Sequence, residues 1–402
     1  MNLIYNIWSL IQVVVGFNLV FPLIIGGCYY FRLLLTNSRK DSPIKGEPDY
    51  AIIVTAYEQM QQVPDVLDSL LKLNYTNYLI YVVADKCDIS TFRIPDPRVI
   101  LLRPEEVLRS NTRSHFYAIK RFQREHERLT IIDSDNLVDP EYLNQLNLFF
   151  AEGYSAVQGV RKAKNMNTLY ASLDAARDMY YHFYDGEALF GAGASATLAG
   201  SGMAFTTRLY RECMEKLDIE GAGFDKVLQY EIVKRDYRIA YAPEAIVYDE
   251  KTTGTDQLVK QRARWINTWF RYFGFGYKLI GSGIVNSSWN KILFGLVLQR
   301  PPLFLFLLLS VAFMLINLWI EPLMALLWLS GILLFVTSFL TALFLANADD
   351  KVYRALKSIP SFVFYQILAL TKVHKANKYS VATRHGATRT EKEGQIVTPL
   401  KD

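Results

Sequence analysis

Three long stretches of the chain are almost free of charge. They cover residues 11–35, 303–320 and 323–345, and the one charged side chain inside them is Arg32. Because an apolar helix of about 20 residues crosses the hydrocarbon core of a bilayer, the pattern predicts three membrane spans. Two residues separate the last two stretches, which predicts a helical hairpin. The alternative is that all three stretches are buried helices of a soluble protein.

A different pattern fills the region between these spans. Short apolar runs alternate with helical patterns; the runs are 50–57, 78–85, 98–103 and 129–133, and the helical patterns are 63–73 and 114–129. This alternation predicts an α/β fold with a mostly parallel sheet that is covered on both faces. Such sheets bind ligands beyond the carboxyl ends of their strands. We therefore expect the polar segments 55–59, 85–88 and 133–136 to meet along one edge.

Composition supports a membrane component and argues against two classes of protein. Apolar residues make up 51% of the 402 residues, more than a soluble domain usually carries. The 44 basic and 39 acidic residues leave a net charge of +5 without a dense basic block, so we expect no nucleic-acid partner. Cys28, Cys87 and Cys213 are scattered and odd in number, which argues against a disulfide framework or a zinc site.

Basic residues flank one side of the predicted spans. They are Arg32, Arg39, Lys40 and Lys45 at the end of the first span, Arg300 before the hairpin, and Lys351, Arg354 and Lys357 after it. Cytoplasmic flanks carry an excess of lysine and arginine, so residues 36–300 should be cytoplasmic. We expect an integral protein of the plasma (inner) membrane that contacts membrane lipids.

Asp133 and Asp135 stand one residue apart where the apolar run 129–133 ends. Two neighbouring carboxylates repel each other unless a cation bridges them, and Mg²⁺ or Mn²⁺ prefers oxygen ligands completed by phosphate and water. The pair therefore predicts a phosphate-bound metal site. The alternative is a helix cap or turn, since a lone D-x-D arises readily by chance.

Seven motifs occur along the central region in a fixed order. They are VTAYEQ (54–59), VVADKCD (82–88), IIDSDNLVDP (131–140), AVQGVRKAKN (156–165), LAGSGMAF (198–205), the segment 224–250 and QRARW (261–265). With this set of motifs, the chain resembles the membrane-embedded family 2 glycosyltransferases of GT-A fold. That family includes cellulose, chitin, hyaluronan and poly-N-acetylglucosamine synthases. The resemblance implies a cytosolic GT-A domain with about three transmembrane helices and interfacial helices. It also implies a UDP-sugar donor and a growing glycan as acceptor.

The resemblance assigns donor binding to six residues, which are Thr55, Tyr57, Asp85, Asp133, Gln261 and Arg264. The ring of Tyr57 would face the base, and Asp85 would accept hydrogen bonds from uracil or ribose. Asp135 would ligate the metal, while Asp133 would share the ligation or orient the donor sugar. Gln261 and Arg264 are three residues apart on one helical face and would reach the phosphates. The alternatives for Tyr57 and Asp85 are a packed tyrosine and an ordinary turn aspartate.

Asp225 is the expected catalytic base. In the resembling family an acid stands twelve residues before a tyrosine, and Asp225 precedes Tyr237 by that spacing, with Phe224 in place of the preceding acid. A carboxylate base needs proximity and some burial, to which Phe224 could contribute. The alternative is a helix N-cap aspartate.

The acceptor side is assigned to Trp265 and to a loop rich in glycine, alanine and serine. Within residues 190–205 we select Gly200, Ser201 and Gly202, since small residues let backbone approach a ligand closely. A loop without ligand contacts is the alternative. The aromatic and basic segment 265–280 is also typical of a helix that lies on the membrane surface, and both interpretations can hold together.

Five segments follow from these patterns. They are an N-terminal transmembrane helix (1–40), the GT-A catalytic domain (41–260), the QxxRW motif with interfacial helices (261–300), a transmembrane hairpin (301–346) and an interfacial helix with a polar cytosolic tail (347–402).

Three functions remain open. The first is a processive polysaccharide synthase, whose glycan path a homodimer or an export partner would complete because three spans are few for a pore. The second is a transferase that adds one sugar to a lipid acceptor. The third is a non-catalytic, nucleotide-binding membrane regulator, against which the presence of Asp85, Asp133, Asp135 and Asp225 argues.

Overall fold

A computed structural model describes residues 2–35, 46–90 and 92–375 of the chain. Arg39, Lys40 and Lys45 of the predicted charge bias lie outside the described residues, and so does the polar tail beyond residue 375.

The strands of the described chain agree closely with the apolar runs. They are β1 (Tyr50–Tyr57), β2 (Tyr78–Asp85), β3 (Val99–Leu102), β4 (Arg128–Asp133), β5 (Leu137–Val138), β6 (Ala156–Ala163), β7 (Met203–Thr206) and β8 (Ile239–Asp249). The predicted strands at 50–57 and 78–85 are confirmed to the residue, and the predictions at 98–103 and 129–133 differ by one residue at their ends.

Helices cover both faces of the sheet and form the predicted spans. They are α1 (Asn2–Leu35), α2 (Val63–Leu71), α3 (Asn111–Ile119), α4 (Tyr142–Ala151), α5 (Leu169–Tyr181), α6 (Leu189–Gly191), α7 (Thr207–Met214), α8 (Phe224–Lys234), α9 (Thr255–Tyr272), α10 (Gly274–Val285), α11 (Trp289–Gln299), α12 (Leu303–Ile320), α13 (Pro322–Leu345), α14 (Asp350–Ala355) and α15 (Ile359–Leu370). A π-helical stretch (His182–Ala188) joins α5 to α6, and 3-10 turns occupy Leu356–Ser358 and Val373–Lys375.

The predicted helix over 114–129 is wrong in its second half. Helix α3 begins after Ser110, whose Oγ accepts the backbone N–H of Arg113, and it ends at Ile119. Beyond it the backbone N–H of Gln123 donates to the hydroxyl of Tyr81 at 2.9 Å, and the His126 ring contacts Asp49 at 3.0 Å. These tertiary hydrogen bonds hold the segment as a loop despite its helical periodicity.

The eight strands form one mixed sheet in the order β3-β2-β1-β4-β7-β6-β8-β5. The pairs β1–β2, β1–β4, β2–β3 and β6–β8 are parallel, whereas β4–β7, β6–β7 and β5–β8 are antiparallel. The predicted α/β class is confirmed, but the sheet is less parallel than we predicted because β7 inserts between β4 and β6. Its antiparallel course leaves the carboxyl ends of β1, β2, β4, β6 and β8 on one edge.

Each strand of the sheet centre serves two cores, because successive side chains point to opposite faces. On β1, Ile52 and Val54 pack with Val63 and Leu67 of α2 in one core. The intervening Ile53 belongs to the other core. Burial on both faces explains why the central parallel strands appear in the sequence as continuous apolar runs.

Three helices, α1, α12 and α13, are long and apolar enough to cross a membrane. The first apolar window begins at Tyr5, six residues before the predicted start. Near the end of α12, the side-chain oxygen of Gln12 accepts hydrogen bonds from Asn317 (2.5 Å) and Trp328 (2.8 Å), which ties the three helices together. Their outward side is apolar, with Trp319 91% and Leu323 73% exposed. An exposed apolar belt of this kind favours a membrane over the soluble-core alternative.

Candidate active site

The carboxyl edge of the sheet opens into a cavity of about 640 Å³. It begins at the ends of β1 and β4, passes α8 and α9, and reaches the first turn of α12 and Gln366 of α15. Most of the predicted site residues line it, namely Thr55, Tyr57, Asp133, Asp135, Gly200, Asp225, Gln261, Arg264 and Trp265. Asp85, Ser201 and Gly202 are not among its lining residues.

Strand register places the predicted acids on the two strands that flank β1, with Asp85 two residues further along the strand direction than Asp133. Thr55 of β1 pairs with Asp133 of β4, and Tyr57 pairs with Asp85 of β2. Ser201 lies beneath the turn that follows β4, fully buried, and its Oγ accepts the backbone N–H of Asp133 (3.0 Å) and the side-chain N–H of Asn136 (2.9 Å). Ser201 therefore supports the carboxylates from behind the cavity wall.

Gly202 supports the same wall through its conformation. Its φ is +66°, and a Cβ there would lie 2.8 Å from Cγ2 of Val247. A side chain is therefore excluded both by backbone strain and by β8. The predicted acceptor contacts of Ser201 and Gly202 remain predictions that this geometry does not favour.

The acid pair has the electrostatics of a cation site. Burial, and next the charge of Asp135, raise the pKa of Asp133 to about 8. A divalent cation would relieve this repulsion. Among the described residues, no group of three or more His, Cys, Asp or Glu side chains is placed to hold a metal. Two carboxylates completed by phosphate oxygens and water are the donor set that Mg²⁺ or Mn²⁺ accepts, so the residues fit the predicted ion.

Asp85 is held away from the cavity. It is 2% exposed, and its two carboxylate oxygens accept the backbone N–H groups of Leu108 (3.0 Å) and Arg109 (2.8 Å). These bonds fix the loop between β3 and α3. The predicted contact of Asp85 with the nucleotide stays a prediction.

Asp225 reaches the cavity because α8 begins against α9. The N-cap of α8 is Gly223, so the alternative that Asp225 is the N-cap is wrong. Gly223 has φ +101°, and a Cβ there would lie 2.7 Å from Thr268 and 2.7 Å from Tyr272 of α9. The side chain of Asp225 is 21% exposed, and Nζ of Lys226 lies 3.9 Å from its Oδ2.

Helix α9 carries the QRARW motif along the cavity. The side-chain oxygen of Gln261 lies 3.3 Å from the hydroxyl of Thr252. The ring of Trp265 lies 4.2 Å from the guanidinium carbon of Arg177 and 4.1 Å from that of Arg262, and the residue is 37% exposed.

A buried ionic network lines the cavity beside Trp265, and the sequence did not reveal it. Its members are Arg161, Asp174, Arg177, Asp178, Asp249, Lys251 and Arg262. Although burial opposes ionisation, Lys251, Arg177 and Arg161 hold the pKa of Asp178 well below its usual value. The spacing of Asp174, Arg177 and Asp178 at i, i+3 and i+4 was the one local signal, because it places three charges on one face of α5.

A family model described as "Glycosyltransferase like family 2" matches residues 48–268, which is more than half of the chain. The chain belongs to this family. The match begins just before β1 and ends within α9, so it covers the sheet, the acid pair, Asp225 and the QRARW motif of this family 2 chain.

Structural comparison found solved proteins of similar fold, including two with nucleotide sugars bound to them. The mannosyltransferase PcManGT from Pyrobaculum calidifontis, in complex with GDP-Man and Mn²⁺, is 16% identical with a TM-score of 0.57, over 90% of this chain and 99% of that chain. S. aureus TarS 1-349 in complex with UDP-GlcNAc is 13% identical with a TM-score of 0.42, over 84% of this chain and 97% of that chain. The likeness to PcManGT confirms the predicted GT-A fold. The comparison with curated proteins gave no match.

Proposed function

We propose that this chain is a membrane-bound, inverting glycosyltransferase that moves a sugar from a nucleoside diphosphate to the hydroxyl of a lipid-linked acceptor. One observation carries the proposal: a single cavity extends from the acid pair at the end of β4, past Asp225, to the first turn of the apolar helix α12. We call the part beside Thr55, Tyr57, Asp133 and Asp135 the donor half, and the part beside Trp265, Pro302, Phe304 and Gln366 the acceptor half.

The donor half suits a nucleotide sugar. Tyr57 offers a ring at the end of β1, and Gln261 and Arg264 of α9 supply donors for phosphate oxygens. We keep a UDP-sugar as the first candidate; PcManGT was solved with GDP-Man, which makes GDP-sugars the second set to test. When bound at Asp133 and Asp135, Mg²⁺ or Mn²⁺ would neutralise the charge of the departing diphosphate.

Asp225 is the proposed base for the transfer step. Its carboxylate takes the proton of the acceptor hydroxyl while the acceptor oxygen bonds to the anomeric carbon. The bond from that carbon to the diphosphate oxygen breaks at the same time, and the nucleoside diphosphate leaves with the bonding electron pair. Arg264 stabilises the negative charge that grows on the leaving oxygen.

The acceptor half favours a lipid over an exported glycan. Its lining includes Val297, Leu298, Pro302 and Phe304, whose apolar surface suits the chain of an amphiphile. Within the described residues, the lining includes nothing from α1 or α13 and extends along α12 no further than Phe304. This supports addition of one sugar at the membrane surface. Processive synthesis is the second candidate, and the partly exposed ring of Trp265 is the observation that favours it.

The surfaces of helices α10 and α15 support the proposed position of the chain at a membrane. Exposed apolar side chains on α10 and α15, such as Tyr277, Ile284 and Phe364, suit helices that lie in the membrane interface. We propose that α1, α12 and α13 span the plasma membrane, that the cavity faces the cytoplasm, and that the five predicted segments are the units of this arrangement.

Product mass tests this function directly. The full chain in dodecyl maltoside micelles is given UDP- and GDP-sugars, Mg²⁺ or Mn²⁺, and a mixed membrane-lipid extract, and the products are identified by mass spectrometry. We expect nucleoside diphosphate release and a lipid heavier by one sugar. A ladder of masses separated by one sugar would instead support the processive candidate. Absence of nucleotide release from every donor would contradict both.

A further inference from the structure

Arg262 is a buried cation in the cavity wall whose hydrogen-bonding capacity is only partly used. The residue is 3% exposed, and its Nη2 donates to Asp174 of α5. Within the part of the chain that the structure describes, its Nε and Nη1 have no hydrogen-bond partner. A buried donor without a partner carries a free-energy penalty, which a ligand in the cavity can remove.

The ionic network around Arg262 contains one more cation than carboxylates. Its described ion pairs join Arg161, Arg177, Lys251 and Arg262 to Asp174, Asp178 and Asp249. Asp174 is shared, since Arg177 lies 3.1 Å from the oxygen that Arg262 also contacts. Burial, and next the charge of Arg177, lower the pKa of Arg262 to about 10, so the residue stays protonated at neutral pH. The charge of Asp133 also acts on Arg161, so an anionic ligand is favoured beside Arg262, where the unused donors lie.

Arg262 lies at the apolar end of the cavity. Its guanidinium carbon is 5.7 Å from the ring of Phe362 on α15. Its neighbours on α9 pack with the first turn of α12: Val259, Ala263 and Ile266 share a core with Phe304. A charge placed beside this apolar core suits a ligand that carries both an anionic group and a hydrocarbon chain.

Trp269 adds a second donor on the same side of α9. It lines the cavity, and its buried Nε1 has no hydrogen-bond partner among the described residues. Arg262, Trp265 and Trp269 stand at i, i+3 and i+7, which places them along one face of the helix. Three donor atoms on two residues, with the indole ring of Trp265 between them, therefore line one strip of the acceptor half.

We propose that Arg262 and Trp269 form an acceptor subsite for the phosphate ester of an anionic lipid. The proposal deepens the function proposed above and rests on it, because it names the chemical class of the acceptor. The phosphate accepts hydrogen bonds from Arg262 and Trp269, the lipid chain lies toward Phe304 and Phe362, and the hydroxyl that receives the sugar points toward Asp225.

Binding of decyl phosphate, measured without any donor, tests this subsite. The quenching of tryptophan fluorescence is followed in the full chain in dodecyl maltoside micelles, with decyl glucoside as the neutral probe. We expect Arg262→Gln to weaken decyl phosphate binding about tenfold, the loss typical of one charge-assisted hydrogen-bonded contact. Lys260→Gln, an exposed cation two residues away on α9, should bind as the wild type does. Arg262→Lys keeps the charge and should bind more tightly than Arg262→Gln.

A stability measurement and a second variant distinguish a loss of binding from a folding defect. Because Arg262→Gln leaves Asp174 with one partner fewer, its melting temperature is compared with that of the wild type. Trp269→Phe removes the indole N–H with part of the ring and keeps an aromatic side chain, and we expect it to weaken decyl phosphate binding about threefold while decyl glucoside binding changes less. Equal binding of decyl phosphate by the wild type, Arg262→Gln and Trp269→Phe would overturn the subsite.

Competition experiments distinguish the phosphate of a lipid from the phosphates of the nucleotide sugar. Decyl phosphate should compete at concentrations at least about tenfold lower than inorganic phosphate or pyrophosphate, because its chain also buries apolar surface. Equal competition by pyrophosphate would assign Arg262 to the donor and contradict the lipid subsite. Failure of the proposed function gives a different result, since a chain that releases no nucleotide can still bind decyl phosphate.

Discussion

The donor half of the cavity is built by strand ends, whereas the acceptor half is built by helices α5, α9, α12 and α15. In the donor half, Asp133 lies close to Asp135, and burial together with the charge of Asp135 raises the pKa of Asp133. In the acceptor half, Asp174 and Asp178 are also buried, yet arginines and Lys251 surround them. A buried acid whose pKa is raised next to a second acid therefore marks the place of a ligand's cation, while acids in ion pairs with arginine and lysine form a scaffold.

The largest effect should come from the donor half. Asp135→Asn removes one charge of the acid pair and should lower nucleotide release at least about a hundredfold, because stabilisation of the leaving diphosphate by a metal is worth several kcal/mol. Release is measured over a Mg²⁺ and Mn²⁺ titration, with Asp68→Asn on the exposed face of α2 as the matched control. If Asp135→Asn released nucleotide at the wild-type rate and with the wild-type metal dependence, the donor half would not be the place where a metal binds. The contrast between the donor half and the acceptor half would then be wrong.

The second largest effect should come from substitution of Gly223, where the two halves of the cavity meet. In Gly223→Ala the new Cβ meets Thr268 and Tyr272 at 2.7 Å and the backbone keeps a strained φ, which should cost roughly 1–3 kcal/mol of stability. Because α8 then moves away from α9, sugar transfer should also fall. The melting temperature and the transfer rate are measured together.

Gly281→Ala on α10 is the control for that junction, since none of the described residues lies within 4 Å of its added Cβ. We expect its melting temperature to equal or slightly exceed that of the wild type, because alanine is the better helix former. Equal behaviour of the two variants would show that the halves do not depend on this close approach.

Substitution of two buried serines should give a smaller effect. The two variants compare a serine beneath the donor half with a buried serine elsewhere in the fold. Ser201→Ala leaves the backbone N–H of Asp133 without its acceptor, and Ser195→Ala does the same to Ile239. Each should cost about 1–3 kcal/mol of stability. Only Ser201→Ala should also raise the KM for the donor, because Ser201 supports the turn that carries the acids. A raised KM in both variants would point to a general loss of packing.

The donor half could be predicted from the sequence because its signals are local. The run ending at Asp133 is continuous and apolar since β4 is buried on both faces, and the acids follow at the strand end. The QRARW motif likewise places Gln261 and Arg264 on one face of α9. The three apolar spans could be predicted from their length and their lack of charge alone.

Apart from Trp265, the acceptor half could not be predicted, because its contacts join distant parts of the chain. Arg262 meets Asp174 across 88 residues, and Lys251 meets Asp178 across 73. The surroundings of Asp85 are set by distant residues in the same way. Its position at a strand end suggested the cavity, but the backbone N–H groups that occupy its carboxylate come from residues 108 and 109. The insertion of antiparallel β7 and the early end of α3 were equally set by tertiary contacts.

The proposed role of Asp225 as the base between the two halves is tested most directly by Asp225→Asn. The rate of sugar transfer to the lipid acceptor is measured at saturating donor, with Asp218→Asn, a 62% exposed carboxylate just before the same helix, as the matched control. The account predicts a loss of about a hundredfold or more for Asp225→Asn, because a positioned general base contributes at least this factor. The control should keep the wild-type rate. Transfer by Asp225→Asn at the wild-type rate would contradict the account.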